Sequence, residues 1–312
     1  MELLDGITLP YLNYNTVLKD QFGGRVQKIS INAGFTCPNR DGSKGYGGCT
    51  YCNNQSFSPN FSKEIQPITE QIDNNISFFN KRYKSQYYLA YFQSYTNTYD
   101  TLANLKQLYG EALKHPQIEG IVIGTRPDCV SDTLLDYFAE MAKEKYVMIE
   151  YGIESTNNKT LDFIHRGHTY ECAVDAIEAT AKRGIHTGAH LILGLPGENK
   201  NIILEHAEKI SKLPLDTLKL HQLQLVKGTI MAKQYKTNPE WFQLYTKEEY
   251  LELVISFLER LRPDIAMERF ISQSPLRLLI APTWGLKNYE FANMLQNTLQ
   301  QKQTWQGKYY ET

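Results

Sequence analysis

The chain has 312 residues, 42% apolar and 21% charged, enough to bury a real core as one large α/β domain with extensions or as two modest domains. A formal net charge of −1 excludes a protein drawn to nucleic acid by its overall field, so any RNA contact must come from a local patch. No apolar run reaches bilayer length and the start, MELLDGITLPYLNYN, has no secretory pattern; five cysteines, an odd number, argue against a disulfide framework and suit a reducing cytoplasm, where clustered cysteines hold metal or do chemistry.

In chain order, residues 1–27 form an N-terminal extension, after which strand and helix patterns alternate. The predicted strands are Lys28–Ala33, Tyr87–Ser94, Gly120–Asp128, Tyr146–Ser155, His186–Pro196 and Asp216–Val226, each short, apolar or alternating, several closed by Gly, Pro or polar residues. The predicted helices between them are Ile68–Lys84, Leu102–Lys114, Asp132–Lys145, Tyr170–Arg183 and Asn201–Leu213. In the second, Leu102, Leu105, Leu108, Tyr109 and Leu113 recur at helical spacing. A helix over Lys247–Leu261, an edge strand over Ala266–Ile271 and a polar-faced helix over Asn288–Gln303 complete the chain. Six βα units imply a parallel sheet covered by helices, either an incomplete barrel or an open doubly wound sheet, and periodicity does not separate these. Unusual residues gather at the polar strand ends, Gln93–Thr98, Thr125–Cys129, Gly152–Ser155 and Gly194–Glu198. In parallel βα folds those ends build the active site.

The segment Cys37-Pro-Asn-Arg-Asp-Gly-Ser-Lys-Gly-Tyr-Gly-Gly-Cys49-Thr-Tyr-Cys52 follows the first strand, with glycines at 42, 45, 47 and 48 that let the chain wrap a metal centre. Three thiolates suit an iron–sulfur cluster with one open iron position; a zinc knuckle completed by one of the seven histidines is the alternative. Cys129 and Cys172 read as packing residues, Cys172 as a small buried hydrophobe. Gly194-Leu-Pro-Gly-Glu lacks the Gly-Lys-Ser/Thr ending of a phosphate loop.

These motifs resemble a known family. CPNRDG followed by GGCTYC, with YFQSYTNTY, GTRPDC, EYGIES, HRGHT, HLILGLPGE and APTWG, is similar to the radical S-adenosylmethionine (SAM) superfamily, in the subgroup related to the tRNA-modifying Elongator catalytic subunit. The resemblance covers about residues 10–290. It implies a partial (β/α)6 TIM barrel of the radical SAM type over 28–230, with residues 231–312 as a C-terminal extension packing on it. It implies a cytoplasmic enzyme whose Cys37, Cys49 and Cys52 bind a [4Fe–4S] cluster. That cluster would be reduced by a carrier such as flavodoxin or ferredoxin and would cleave SAM to a 5′-deoxyadenosyl radical.

By the same resemblance Tyr51 offers its backbone to the adenine and Gln93 and Ser94 hold the methionine amino group, although the usual Gly-Gly-Glu is absent there. Glu154 and Ser155 fall where the ribose hydroxyls are contacted, and Arg166 where the SAM carboxylate is met. Ile192 lines the adenine pocket. His190 stands where related oxygen-independent coproporphyrinogen oxidases carry Asp. The implied substrate is tRNA, at the C5 side chain of a wobble uridine, where a carboxymethylaminomethyl group would lose its carboxymethyl part through hydrogen abstraction and leave an aminomethyl group. Lys219, His221, Lys227, Lys233, Lys236, Arg277 and Lys287 are the candidate RNA contacts, with Arg126 and Arg166 facing the same mouth and Tyr95 or Tyr99 stacking a base. Radical chemistry on a small metabolite or a protein, and a non-catalytic zinc-stabilised RNA-binding module, are the other readings.

Overall fold

The computed structural model describes residues 3–4, 7–56, 65–83 and 86–311. Seven parallel strands form its centre: β3 (Arg25–Ile31), β4 (Gln86–Phe92), β5 (Ile118–Thr125), β6 (Tyr146–Glu154), β7 (His186–Leu193), β8 (Thr217–Gln222) and β10 (Ala266–Arg269). They follow one another in the sheet in chain order, β3 and β10 at the edges, and curve into a half-barrel. The expected six units thus become seven strands, because the predicted edge strand near 266 pairs with β8. The long strand expected over Asp216–Val226 breaks after Gln222, and Leu225–Val226 becomes β9, antiparallel to β11 (Leu279–Ala281). A two-residue hairpin, β1 (Leu3–Leu4) and β2 (Ile7–Thr8), precedes the barrel.

The outer layer is helical: α2 (Ile68–Asn80), α3 (Leu102–Leu113), α4 (Asp132–Ala142), α6 (Tyr170–Ala181), α7 (Lys200–Ser211) and α9 (Lys247–Leu258), with α10 (Asn288–Gln301) beside α9. The expected helix end at Lys84 lies outside the described residues. Most of these helices begin where the sequence offers an oxygen to an orphan amide. Thr101, Ser131, Thr169 and Asn199 each accept from an amide in the first turn, and Thr246 with Glu249 forms a capping box. Two short helices carry no clear periodicity and were not anticipated, α5 (Asn158–Phe163) and α8 (Ile230–Thr237).

Strand alternation sorts side chains into two cores. Ala90, Phe92, Ile121, Ile123, Val147, Ile149, Leu191 and Leu220 face the helices in the main core. Leu89, Val122, Tyr146 and Met148 face the barrel interior, where Tyr14 and Leu18 of α1 (Tyr14–Phe22) pack against them. Helix α1 therefore plugs the bottom of the half-barrel and touches both edge strands. Just before it, the Met267 amide donates to the Leu12 carbonyl at 2.8 Å. The half-barrel stays open along one side, where a cleft lined by Tyr14, Leu18, Lys28 and Glu268 runs between β3 and β10. No helix among the described residues is long and apolar enough to cross a membrane.

Candidate active site

The cysteine loop leaves β3 and folds over the C-terminal strand ends. Its backbone closes on itself, Arg40 N to Cys37 O at 2.8 Å, Gly48 N to Asn39 O at 2.8 Å and Cys52 N to Cys49 O at 2.9 Å. Thr50 is pinned from both sides, donating to the Ile164 carbonyl at 2.9 Å and accepting from the Met231 amide at 2.8 Å, which is what α5 and α8 contribute. Cys37, Cys49 and Cys52 are all free thiols lining one cavity.

Two of the sulfurs meet N–H donors. Asn39 Nδ2 lies 3.3 Å and Arg166 Nη1 3.7 Å from Cys49 Sγ, and Arg40 Nη2 lies 3.6 Å from Cys52 Sγ. Burial, then the neighbouring Cys49, pushes the Cys52 thiol up to about 11, a cost that a bound metal removes by deprotonating it outright. Among the described residues no three His, Cys, Asp or Glu side chains converge on a single metal-ion position. Three thiols around one cavity, as ligands to separate irons, are instead the donor set of a cluster. Asn39 was not singled out from sequence, yet it also bonds the His165 and Arg166 carbonyls at 2.8 and 3.1 Å and ties the loop to the turn before α6. Its signal was its place inside CPNRDG.

The strand ends supply the opposite wall. Register slips between Gly152 and Glu154 of β6, and Glu154 takes a left-handed backbone (φ 70°), an uncommon state for a non-glycine that recurs at functional sites. Arg166 is buried, donates to the Gly152 carbonyl at 2.6 Å and lies 3.6 Å from Glu154, while its Nε has no partner among the described residues. A Cβ on Gly152 would stand 2.6 Å from both Arg166 Nη2 and Glu154 Oε1, so this bare position makes room for the pair. Tyr51, Gln93, Glu154, Arg166, His190 and Ile192 all line the cavity.

Ser94 and Ser155 do not line it. Both are buried, and the Ser155 hydroxyl is committed to Glu198, inside an enclosed pair of Glu198 and His206 at 3.2 Å. An inward-facing Ser155 was expected; its side chain points away because the bulge turns Glu154 in. Cys129 is outside the cavity too, its thiol raised to about 12 by burial and then by Asp128. Cys172 is only half-buried on α6 rather than enclosed.

Arg126, at the end of β5, reaches the cavity but is 2% exposed and locked bidentately on Asp128 at 2.9 and 2.8 Å. It cannot serve the mouth as an RNA contact, and neither can buried Arg166.

Below the cavity lies a charged floor that sequence reasoning missed. Lys28 of β3 pairs with Glu150 of β6 and Glu268 of β10 at 2.7 and 2.6 Å. Lys219 of β8 pairs with the same two carboxylates at 2.6 and 3.0 Å. The result is a closed ring of two cations and two anions, joined by Tyr91 and by His190, whose Nε2 lies 3.1 Å from Glu150. Burial alone would push the Glu150 carboxyl up, but Lys219, Lys28 and His190 outweigh it and hold it well below the usual carboxylate range. Lys219 is therefore not an RNA contact, since it is 4% exposed and its one charge is shared between Glu150 and Glu268. His221 is not one either: it faces the cavity against Ser272 and is held neutral by burial, then by His190, Arg269 and Lys219.

A parallel half-barrel with a three-cysteine loop over its C-terminal mouth defines a SAM-cleaving radical enzyme fold. The model of the radical SAM superfamily matches residues 33–210 and that of the radical SAM C-terminal domain residues 215–301, and the chain belongs to the radical SAM superfamily. It is accordingly an enzyme whose cofactors are a [4Fe–4S] cluster and SAM. It is 32% identical to the protein YtqA of Bacillus subtilis over 96% of this chain and 92% of that one. A tRNA uridine(34) acetyltransferase of Methanocaldococcus jannaschii is 26% identical over 50% of this chain and 28% of its own length. Among solved structures, the Methanocaldococcus infernus Elp3 superimposes with a TM-score of 0.66 at 15% identity, covering 90% of this chain and 64% of that one.

Proposed function

We propose that this enzyme modifies the C5 side chain of a wobble uridine in tRNA, converting carboxymethylaminomethyl to aminomethyl in the cytoplasm. The observation that carries this reading is the similarity to a tRNA uridine(34) acetyltransferase over half the chain, joined to exposed basic residues in the segment that follows Val226 of the cavity wall. Lys227, Lys233, Lys236 and Arg277 are exposed, and Lys227 is tied to the cysteine loop through Asn53 at 2.9 Å and to Arg277 at 3.0 Å. Tyr95, 41% exposed, lines the cavity and is suited to stack a base. A half-barrel open along one side admits an anticodon loop where a closed one would not.

In this reading Cys37, Cys49 and Cys52 hold the cluster, which supplies one electron to SAM and so a hydrogen-abstracting radical. Arg166 meets the SAM carboxylate, Glu154 a ribose hydroxyl, Ile192 and the Tyr51 backbone the adenine, Gln93 the amino group, and His190 a further hydroxyl. The C-terminal residues 231–312 act as an extension that shapes the rim, and a flavodoxin or ferredoxin delivers the electron.

Nucleosides from the tRNA of a deletion strain test the assignment. Carboxymethylaminomethyluridine should accumulate and its aminomethyl product disappear. An unchanged nucleoside profile would move the substrate to a small metabolite.

A further inference from the structure

On the cavity wall opposite the cysteine loop stands an arginine that none of the charges below it can neutralise. Arg269 is half-buried at the end of β10 and lines both the main cavity and the side opening between β3 and β10. Its guanidinium has no hydrogen-bond, ion-pair or ring partner among the described residues. The carboxylates that line the same clefts are already engaged: Glu154 faces Arg166, and Glu150 and Glu268 are held in the ring with Lys28 and Lys219, in which two positive and two negative charges already cancel. The two imidazoles nearby do not help. His221 is held neutral, with Arg269 itself among the causes, and His190 is turned to Glu150. The wall thus carries one uncompensated positive charge facing the reaction space.

The backbone is built to put it there. In a regular strand Glu268 and Arg269 would face opposite sides of the sheet. Register slips between Met267 and Arg269, so that Arg269 stands beside Lys219, an inward residue, while Glu268 still reaches Lys28 and Lys219. A bulge of this kind re-aims a side chain at the expense of ladder pairing and is a built feature of strands beside active sites. An arginine at a partly desolvated wall is the side chain best matched to a carboxylate, which it binds through two parallel hydrogen bonds.

We propose that Arg269 binds a carboxylate of the substrate and makes the enzyme select molecules bearing one. Resting on the tRNA reading above, that carboxylate is the end of the carboxymethylaminomethyl group. Hydrogen abstraction from the methylene beside it, return of one electron to the cluster and hydrolysis of the resulting imine would break the N–C bond and release the two carbons as glyoxylate, leaving an aminomethyl product without the group that Arg269 holds. The shared chemistry has a second source, the carboxylate of SAM, and the experiment separates the two.

Holoenzyme reconstituted with iron and sulfide under anaerobic conditions is titrated, in the presence of SAM, with 5-carboxymethylaminomethyluridine and with 5-aminomethyluridine. SAM affinity and iron content are measured on the same samples. Wild type should prefer the carboxylated nucleoside by roughly tenfold to a hundredfold, the range of a charge-assisted hydrogen bond. Arg269→Gln should erase the preference and Arg269→Lys should keep only part of it, both with unchanged SAM affinity and iron content. A preference that survives Arg269→Gln overturns the proposal. So does a fall in SAM affinity by the same factor, which would give the guanidinium to the cofactor. If Arg269→Gln loses iron, Arg269→Lys decides: undiminished preference there counts against the proposal. N-methylglycine, a carboxylate without a uracil, distinguishes this idea from the tRNA reading. If wild type ignores both nucleosides yet binds N-methylglycine through Arg269, the tRNA reading fails and the carboxylate site stands. If it binds none of the three, both fail.

Discussion

Cys37, Cys49 and Cys52 share a cavity, but their neighbours differ, and so does what their loss should do. Replacing any of the three by Ala should abolish iron uptake and SAM cleavage, whereas Cys172→Ala, on the half-buried face of α6, should leave both intact; anaerobic reconstitution with iron analysis and a visible spectrum reads this directly. Full iron content in any one of the three variants would remove that cysteine from the ligand set. Arg166→Ala should weaken SAM binding by about 1.5–3 kcal/mol. Its contact with Cys49 Sγ makes iron content the companion measurement. Asp128 offers a test by pH. Burial pushes its carboxyl up, but the Arg126 hydrogen bond and charge, with Lys44, bring it down to about 2, below its ordinary 3.8. A carboxyl lowered in the folded state adds stability that is complete above its unfolded value and is lost as pH falls through the folded one. Asp128→Asn should therefore cost about 2 kcal/mol near neutrality. The cost should shrink between about pH 4 and pH 2, as followed by urea unfolding at each pH.

Among the elements, β6 and β10 are the strands whose regularity is broken where the chemistry lies, one slip turning Glu154 inward and the other Arg269. Glycine substitutions measure how tightly such an end is built. Gly152→Ala puts a methyl against both members of the Arg166–Glu154 pair and should destabilise by about 1–3 kcal/mol while lowering SAM affinity. Gly110→Ala, in the interior of α3 with nothing within 4 Å of the added carbon, should instead stabilise by about 0.5–1 kcal/mol. Equal denaturation midpoints for the two would show that the strand end yields freely. Helix α1 contributes differently. It carries no residue of the cysteine-lined cavity, but its Tyr14 and Leu18 fill the lower barrel and wall the cleft between β3 and β10.

For the molecule as a whole, a net charge of −1 gives no long-range attraction for RNA, so binding must rest on the rim alone. Charge reversal at Lys227 and Lys233 should lower tRNA affinity and flatten its salt dependence, with SAM cleavage in the absence of tRNA unaffected. Filter binding across a salt series checks this, and salt-insensitive or absent binding by wild type would favour a small substrate. The basic surface is smaller than the sequence suggested, because Lys219, Arg126 and Arg166 are spent on internal partners, while Lys227, Lys233, Lys236, Arg277 and Lys287 remain exposed.

The order of βα units, the helix caps and the three-cysteine loop were legible in the sequence, since each is written within a window of a few to sixteen residues as periodicity, a capping oxygen or a spacing. So were Tyr51, Glu154, Arg166, His190 and Ile192 as cavity residues, through motifs that sit at strand ends. What the tertiary structure alone decided was pairing over distance. Lys28, Glu150, Lys219 and Glu268 come from four strands up to 240 residues apart, and a lone lysine or glutamate in a strand reads as an exposed charge until barrel curvature brings the four together. The seventh strand, the plug by α1 and the two register slips were equally hidden. They depend on which neighbour a short strand finds and on where its ladder gives way, and no local pattern of residues encodes that choice.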